Sequence, residues 1–484
     1  MEYRWRALGA VAFGTYMATM DFSIVNVALP TLAREFDRSP DTVVWATLVA
    51  SLVVTGLTLT AGRAGDLYGR KRVYIAGWVI FTIGMALASF APSFEILIVM
   101  RFLQSIGVAL AIANGNAIVT EAFPPEQRGQ ALGTTGAVVG AGLMSGPILG
   151  GIILEFFSWH AVFALRVPIG VAAMTLAWLA IRPSSPSAAG TARRMDVPGA
   201  LLLFISLSSA LLAVNRGQSW GWSSAPVLGL LALSAVAFAL FLRVESRSPS
   251  PVVALTLFRE RDYSVGVSSL ALSFLGQSSV TFLLPFYLQE VRDFSTGRVG
   301  LIVATIPCMM LLLSPLSGRI SDRYRFTHQA TIGIALVSVG LFSLATITAE
   351  TPVALIVLRL AVIGIGTSVF MSPNSATIMN SVPPDRLGTA SASVATARNI
   401  GNAVGLALAS AVLVAAASAS AGYTATRVAD LPDSAIVDGV RAAFAAAGFA
   451  SSAAVAASLL RGGRRDPLVA AGTPLVRRGN PPPP

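Results

Sequence analysis

The sequence predicts an all-α polytopic membrane protein, built from two six-helix bundles related by duplication with two extra helices between them. Three observations predict it. Apolar residues make up 54% of the 484-residue chain and charged residues only 12%, whereas soluble chains average about a quarter charged. Apolar segments of membrane-spanning length recur fourteen times. Short segments of the first half also return in the second.

The spans are expected near 8–30, 43–61, 73–91, 95–121, 133–155, 160–181, 199–216, 226–243, 264–288, 298–316, 329–348, 352–372, 391–417 and 440–460. The first resembles a signal peptide, with Arg4 and Arg6 before an apolar run. That run is too long, carries Asp21 and lacks a small-residue cleavage site, so it is read as a retained span. The expected organisation is an N-terminal bundle over 1–181, a linker region with two added spans over 182–262, a C-terminal bundle over 263–460 and a disordered tail over 461–484.

Arginine counting sets the orientation. Placing the N-terminus in the cytoplasm puts Arg70, Lys71, Arg72, Arg128, Arg193, Arg194, Arg243, Arg247, Arg319, Arg323, Arg325 and Arg386 on the cytoplasmic side. Acids such as Glu35, Asp37, Glu95, Glu350, Asp430 and Asp438 fall outside. Both termini are thus expected in the cytoplasm. The net charge of +11 sits in clusters between apolar runs, which points to membrane orientation rather than a nucleic-acid partner. Cys308 is the single cysteine and His160 and His328 lie far apart, so no disulfide or metal site is expected. The P-loop pattern is absent, and neither an enzyme nor ATP-driven pumping is expected.

The duplication is legible in the chain itself. "FPPEQRG" (123–129) returns as "VPPDRLG" (382–388), and at the same offset Gly142 and Gly146 map onto Gly401 and Gly405. "GRAGDLYGRKR" (62–72) echoes "GRISDRYR" (318–325) at a slightly different offset. Pro147 has no counterpart, because Leu406 stands in its place. Such repeats mark secondary transporters.

These segments resemble the major facilitator superfamily, specifically its fourteen-span drug:proton antiporter branch. Gly62, Asp66, Gly69, Arg70, Lys71 and Arg72 match the loop motif between spans two and three, with Leu67 where a basic residue is usual. "RFLQSIG" (101–107) resembles the fourth-span motif, with Ser105 in place of a glycine. Gly142, Gly146, Pro147, Gly150 and Gly151 match the fifth-span motif of exporters. "WHAVFALRVPIG" (159–170) resembles a sixth-span segment, with Arg166 in place of an asparagine. The resemblance implies that Asp66 pairs with arginine and with the N-terminus of a second-half helix beginning near Gly388, latching the cytoplasmic side. It implies a role in proton coupling for Arg101, beside Gln104. It implies a multi-pass protein of a bacterial cytoplasmic membrane that exports amphipathic drugs or antibiotics. The partners would be a small amphipathic substrate, protons and membrane lipids, with no nucleic acid; the proton gradient replaces any cofactor, and the unit is a monomer.

Asp21 is the one acid well inside a span, where a carboxylate costs about 2.5–3.5 kcal/mol on an insertion scale. Counting depth along spans one and six brings it level with Arg166, so an Asp21–Arg166 ion pair is expected. Such a pair keeps the carboxylate ionised, whereas burial alone favours its protonated form. Two roles stay open: a carrier of protons or cationic substrate, and a static structural partner. Arg359 and Arg398 are the other arginines within spans. With one embedded acid, the expected stoichiometry is one proton. Two further functions also stay open, export of a lipid or envelope precursor and a non-transporting sensor or scaffold.

Overall fold

The computed structural model describes residues 2–183, 195–253, 255–324, 328–423 and 431–460. The expected tail over 461–484, together with Arg193, Arg194, Arg325 and Asp430, lies outside the described residues. Among the described residues the chain is helical without strands. Among the described residues, thirteen helical segments are long and apolar enough to cross a membrane, and Gln329–Leu344 is a shorter apolar helix. Together they coincide with the fourteen expected spans. In order they are α1 (Tyr3–Glu35), α2 (Trp45–Tyr68), α3 (Arg70–Ala88), α4 (Phe94–Ala122), α5 (Arg128–Phe156), α6 (Val167–Ala180), α7 (Val197–Trp220), α8 (Ala225–Glu245), α9 (Arg261–Glu290), α10 (Thr305–Tyr324), α11 (Gln329–Leu344), α12 (Val353–Asn380), α13 (Leu387–Ala421) and α14 (Asp433–Leu459).

Local chemistry sets the breaks. Gly69 adopts φ 96° between α2 and α3, a conformation that side-chain-bearing residues avoid. Ser93 caps α4 by accepting from the Ile96 N–H at 3.3 Å. Asp196 caps α7 by accepting from the Gly199 N–H at 2.8 Å. The sixth span is split into His160–Ala164 and α6, because Pro168 cannot donate a backbone hydrogen bond there. Arg166 falls at that split.

Packing repeats between the halves. In the first, α5 lies against α1, with Gly142 beside Thr19 and Gly146 beside Ser23. In the second, α13 lies against α9, with Gly401 beside Ala271 and Gly405 beside Leu275. Gly77 of α3 meets Gly107 of α4 backbone to backbone, and Gly333 of α11 meets Gly366 of α12 in the same way. In lipid the hydrophobic effect does not drive helices together, so close backbone approach supplies the dispersion contacts instead. Pro147 leaves α5 continuous and faces outward.

The added pair is a hairpin on the seam between the bundles. Ser206 and Ser234 each donate to the other's carbonyl, at 3.1 and 2.9 Å, tying α7 to α8. α7 packs against α2 and α13, one helix from each half. Ser208 donates to the Leu52 carbonyl at 3.4 Å, and the Arg216 guanidinium lies 5.0 Å from the Trp45 ring centre. α8 is on the outside, with Leu228, Leu233 and Val236 exposed. Those side chains suit a lipid contact.

A leucine at Gly107 would collide with the Gly77 carbonyl and the Phe81 backbone. Overpacking of this kind costs about 1–3 kcal/mol, so Gly107→Leu is expected to lower the melting temperature in detergent. Gly151→Leu, where an added Cβ meets nothing within 4 Å, is the control and should melt like the parent.

Candidate functional site

One carboxylate holds together three helices of the first bundle. Asp21 is 2% exposed, and Arg101 and Arg166 are each 1% exposed. Arg166 Nη1 donates to Asp21 Oδ1 at 2.5 Å, and Arg101 Nη1 donates to Oδ2 at 3.0 Å. Gln104 Nε2 donates to Oδ1 at 2.9 Å while its own Oε1 accepts from Arg101 at 2.6 Å. Arg101 and Gln104 are one turn apart on α4, so both reach the carboxylate from the same face. The remaining nitrogens are placed by backbone: Arg101 Nε donates to the Ala46 carbonyl at 3.1 Å, and Arg166 Nε to Val162 at 2.6 Å. The Nη2 atoms of both arginines are buried without an acceptor. Donors therefore outnumber acceptors here, and the cluster carries a formal positive charge.

All four residues expected at this site meet in it. The sharing of Asp21 between Arg166 and Arg101 goes beyond the expected single pair. Depth counting gives a residue's height in the membrane but not its direction around the bundle. Arg359 lies elsewhere, half-exposed, and donates to Thr346 Oγ1 at 3.0 Å.

At the arginine-rich end the bundles are tied by a second carboxylate. Asp66 accepts from the Gly388 and Thr389 N–H groups at 2.8 and 2.9 Å and from the Thr389 hydroxyl at 3.0 Å. Those amides belong to the first turn of α13, where the helix dipole favours an anion by about 0.3–1 kcal/mol, more when partly buried. Gly62 lies against Gly388, which lets α2 come close enough for the bond. Arg70 joins the partners, donating to Asp66 at 3.0 Å, to Glu121 at 2.8 Å and to the Pro384 carbonyl at 2.5 Å. Lys71 turns away to the Trp178 carbonyl, and Arg72 is exposed.

A mirror image of this latch was missed in the sequence. Asp322 of α10 accepts from the Gly129 and Gln130 N–H groups at 3.0 and 2.7 Å, in the first turn of α5. Gly318 lies against Gly129 as Gly62 lies against Gly388. The signal was present, since "GRISDRYR" repeats "GRAGDLYGRKR" and aligns Asp322 with Asp66.

Between the carboxylate cluster and the latches lies a cavity lined by both bundles. Thr15, Asn116 and Thr135 face it from the first half, and Ser314, Ser375 and Arg398 from the second. Its volume is about 70 Å³, below the roughly 300–1,000 Å³ of pockets for drug-sized ligands. Toward the arginine-rich end, the Asp66 and Asp322 contacts hold the two bundles together.

Two bundles related by duplication, a cavity on their seam and paired latches at one end decide the family together with the sequence match. The family model for the Major Facilitator Superfamily matches residues 11–406. The chain belongs to the major facilitator superfamily. It is 35% identical over 407 residues to the riboflavin transporter RibZ of Clostridioides difficile (strain 630), covering 84% of this chain and 88% of that one. It is 31% identical over 412 residues to the multidrug resistance protein Stp of Mycobacterium tuberculosis (strain CDC 1551 / Oshkosh), covering 85% and 76%. The crystal structure of the human organic anion transporter MFSD10 superposes with a TM-score of 0.65 at 14% identity over 95% of this chain and all of that one. At that identity the likeness shows the fold alone. The protein is a multi-pass membrane transporter of small molecules and not an enzyme.

Asp21→Asn leaves two buried guanidiniums facing each other, whereas Arg166→Asn leaves Asp21 paired with Arg101. Removing one partner of a buried ion pair costs about 3–5 kcal/mol. The loss of melting temperature is therefore expected to be large for Asp21→Asn and clearly smaller for Arg166→Asn.

Proposed function

We propose that this transporter is a proton-coupled exporter of amphipathic small molecules, drugs or antibiotics among them, working by alternating access in a bacterial cytoplasmic membrane with both termini inside. The observation that carries the reading is the buried Asp21 carboxylate shared between Arg101 and Arg166 on helices of the bundle that lines the central cavity. Proton delivery to Asp21 weakens its hold on two guanidiniums at once, which loosens α1, α4 and the start of α6 together. A proton thereby becomes a conformational signal rather than a passenger alone. The match to the multidrug resistance protein Stp and the glycine-rich fifth span support export. The RibZ match favours a second, narrower reading in which the cargo is riboflavin-like.

In this reading the arginine-rich end is cytoplasmic, and Asp66 and Asp322 hold it closed. Neutralising either carboxylate removes an anion from a helix N-terminus and frees that seam. A reporter cysteine is introduced as Ser375→Cys in a Cys308→Ser background and labelled from the cytoplasmic side with an impermeant maleimide. Asp66→Asn is expected to raise the labelling rate several-fold, and Asp322→Asn to do the same. An unchanged rate in both variants would remove the latches from the gating cycle.

The transport test uses proteoliposomes with an imposed pH jump, and ethidium, riboflavin and fluorescein as separate cargoes. Flux of at least one cargo should follow the pH gradient and vanish in Asp21→Asn. Gradient-driven flux that persists in the variant would move proton coupling to another group. Flux indifferent to pH in the parent would sink the antiport reading.

A further inference from the structure

The central cavity is electrostatically one-sided. Arg398 lines it from α13, only partly buried, and makes no hydrogen bond or ion pair with any described residue. Asn116 lines it from α4, and its side chain likewise has no protein partner among the described residues. Ser314 Oγ, on α10, is buried at the cavity without a partner. No carboxylate lines the cavity among the described residues. Outside the lining, in the interior of the first bundle, two further guanidiniums (Arg101 and Arg166) share the Asp21 carboxylate, and their Nη2 atoms lack acceptors.

We propose that this cavity is a binding site for organic anions, with the acidic group of the cargo seated on Arg398 and oriented by Asn116 and Ser314. The proposal rests on the transport reading and names the chemical class of its cargo. A guanidinium in a low-dielectric site is costly without an anion, and its planar fork matches a carboxylate through two parallel N–H bonds. The amide of Asn116 and the hydroxyl of Ser314 supply further donors on helices from opposite halves. An anion bound there would bridge α4, α10 and α13, so its arrival or departure is felt by both bundles. A cation would find no carboxylate in the lining and would be repelled by Arg398.

The test is equilibrium binding to the purified full-length protein in detergent, with no gradient and no flux. Fluorescein and rhodamine 6G share a xanthene frame and differ in charge. Fluorescence anisotropy should show fluorescein binding at least tenfold tighter than rhodamine 6G. Arg398→Gln should weaken fluorescein at least tenfold, leave rhodamine 6G unchanged or tighter, and keep the parental melting temperature. Arg398→Lys should fall between, because it keeps the charge and loses the fork. Preference for the cation, unchanged fluorescein affinity in Arg398→Gln, or no anion binding up to millimolar concentration each overturns the proposal. Anion binding without pH-driven flux would sink the export reading alone. Flux of ethidium that ignores Arg398 would sink the anion assignment alone.

Discussion

A charge in hydrocarbon must be met by another charge, and the first bundle is organised around that requirement. Asp21 on α1 is reached by Arg101 and Gln104 from α4 and by Arg166 from the break before α6. Asp21 is the group the two guanidiniums share, so its loss would leave both of them buried without a counter-charge. The break matters as much as the charges, since Pro168 ends the helical hydrogen bonding and lets Arg166 occur at a turn. The backbone then positions the guanidinium, with Val162 and Ala46 accepting from the arginine Nε atoms. An ion cluster of this kind is weak evidence for stability, because desolvation offsets much of its attraction. In the proposed cycle the same balance makes it a switch, because one proton on Asp21 would leave two cations unbalanced.

The second organising device is a carboxylate aimed at the first turn of a helix in the opposite bundle, used twice. Asp66 meets α13 and Asp322 meets α5, each on the amides of the second and third helical residues, and each beside a pair of facing glycines. Duplication explains the symmetry, and dipole and hydrogen bond explain why it holds. The two latches differ in their surroundings. Arg70 ties Asp66 to Glu121 and Pro384 as well, so the first latch is a network within which a single carboxylate controls several contacts.

The fourteen spans were legible because hydropathy reports them directly, and the duplication because glycines and the "PP" turns survive in both halves. The depth of Asp21 and Arg166 was legible from counting residues. That Arg101 shares the same carboxylate was not, since its direction depends on how α1 and α4 are rotated in the bundle. Asp322 was hidden by the altered offset and by the loss of the basic run that makes the first copy conspicuous. The place of the α7–α8 hairpin was also illegible. Its sequence says only that it connects the halves, whereas Ser208 on Leu52 and Arg216 over Trp45 place it on the seam. Arg398 stood in the sequence as a buried arginine of unknown purpose; only the cavity around it shows what it lacks.

The sign of the cargo changes the energetics of exchange. One proton entering for one monocation leaving moves no net charge, so only the pH gradient does work, about 1.4 kcal/mol per unit. One proton entering for one monoanion leaving carries two positive charges' worth of current inward. At about 2.3 kcal/mol per charge per 100 mV, the membrane potential then contributes twice over. A single embedded acid is enough for strong concentration of such a cargo, with no second proton site required. Among the described residues, Asp21 is a carboxylate buried deep within a span, and the cavity is lined by Arg398, a guanidinium with no partner among those residues. Those two features suit each other: the fewer protons a transporter can carry, the more it gains from moving an anion against them.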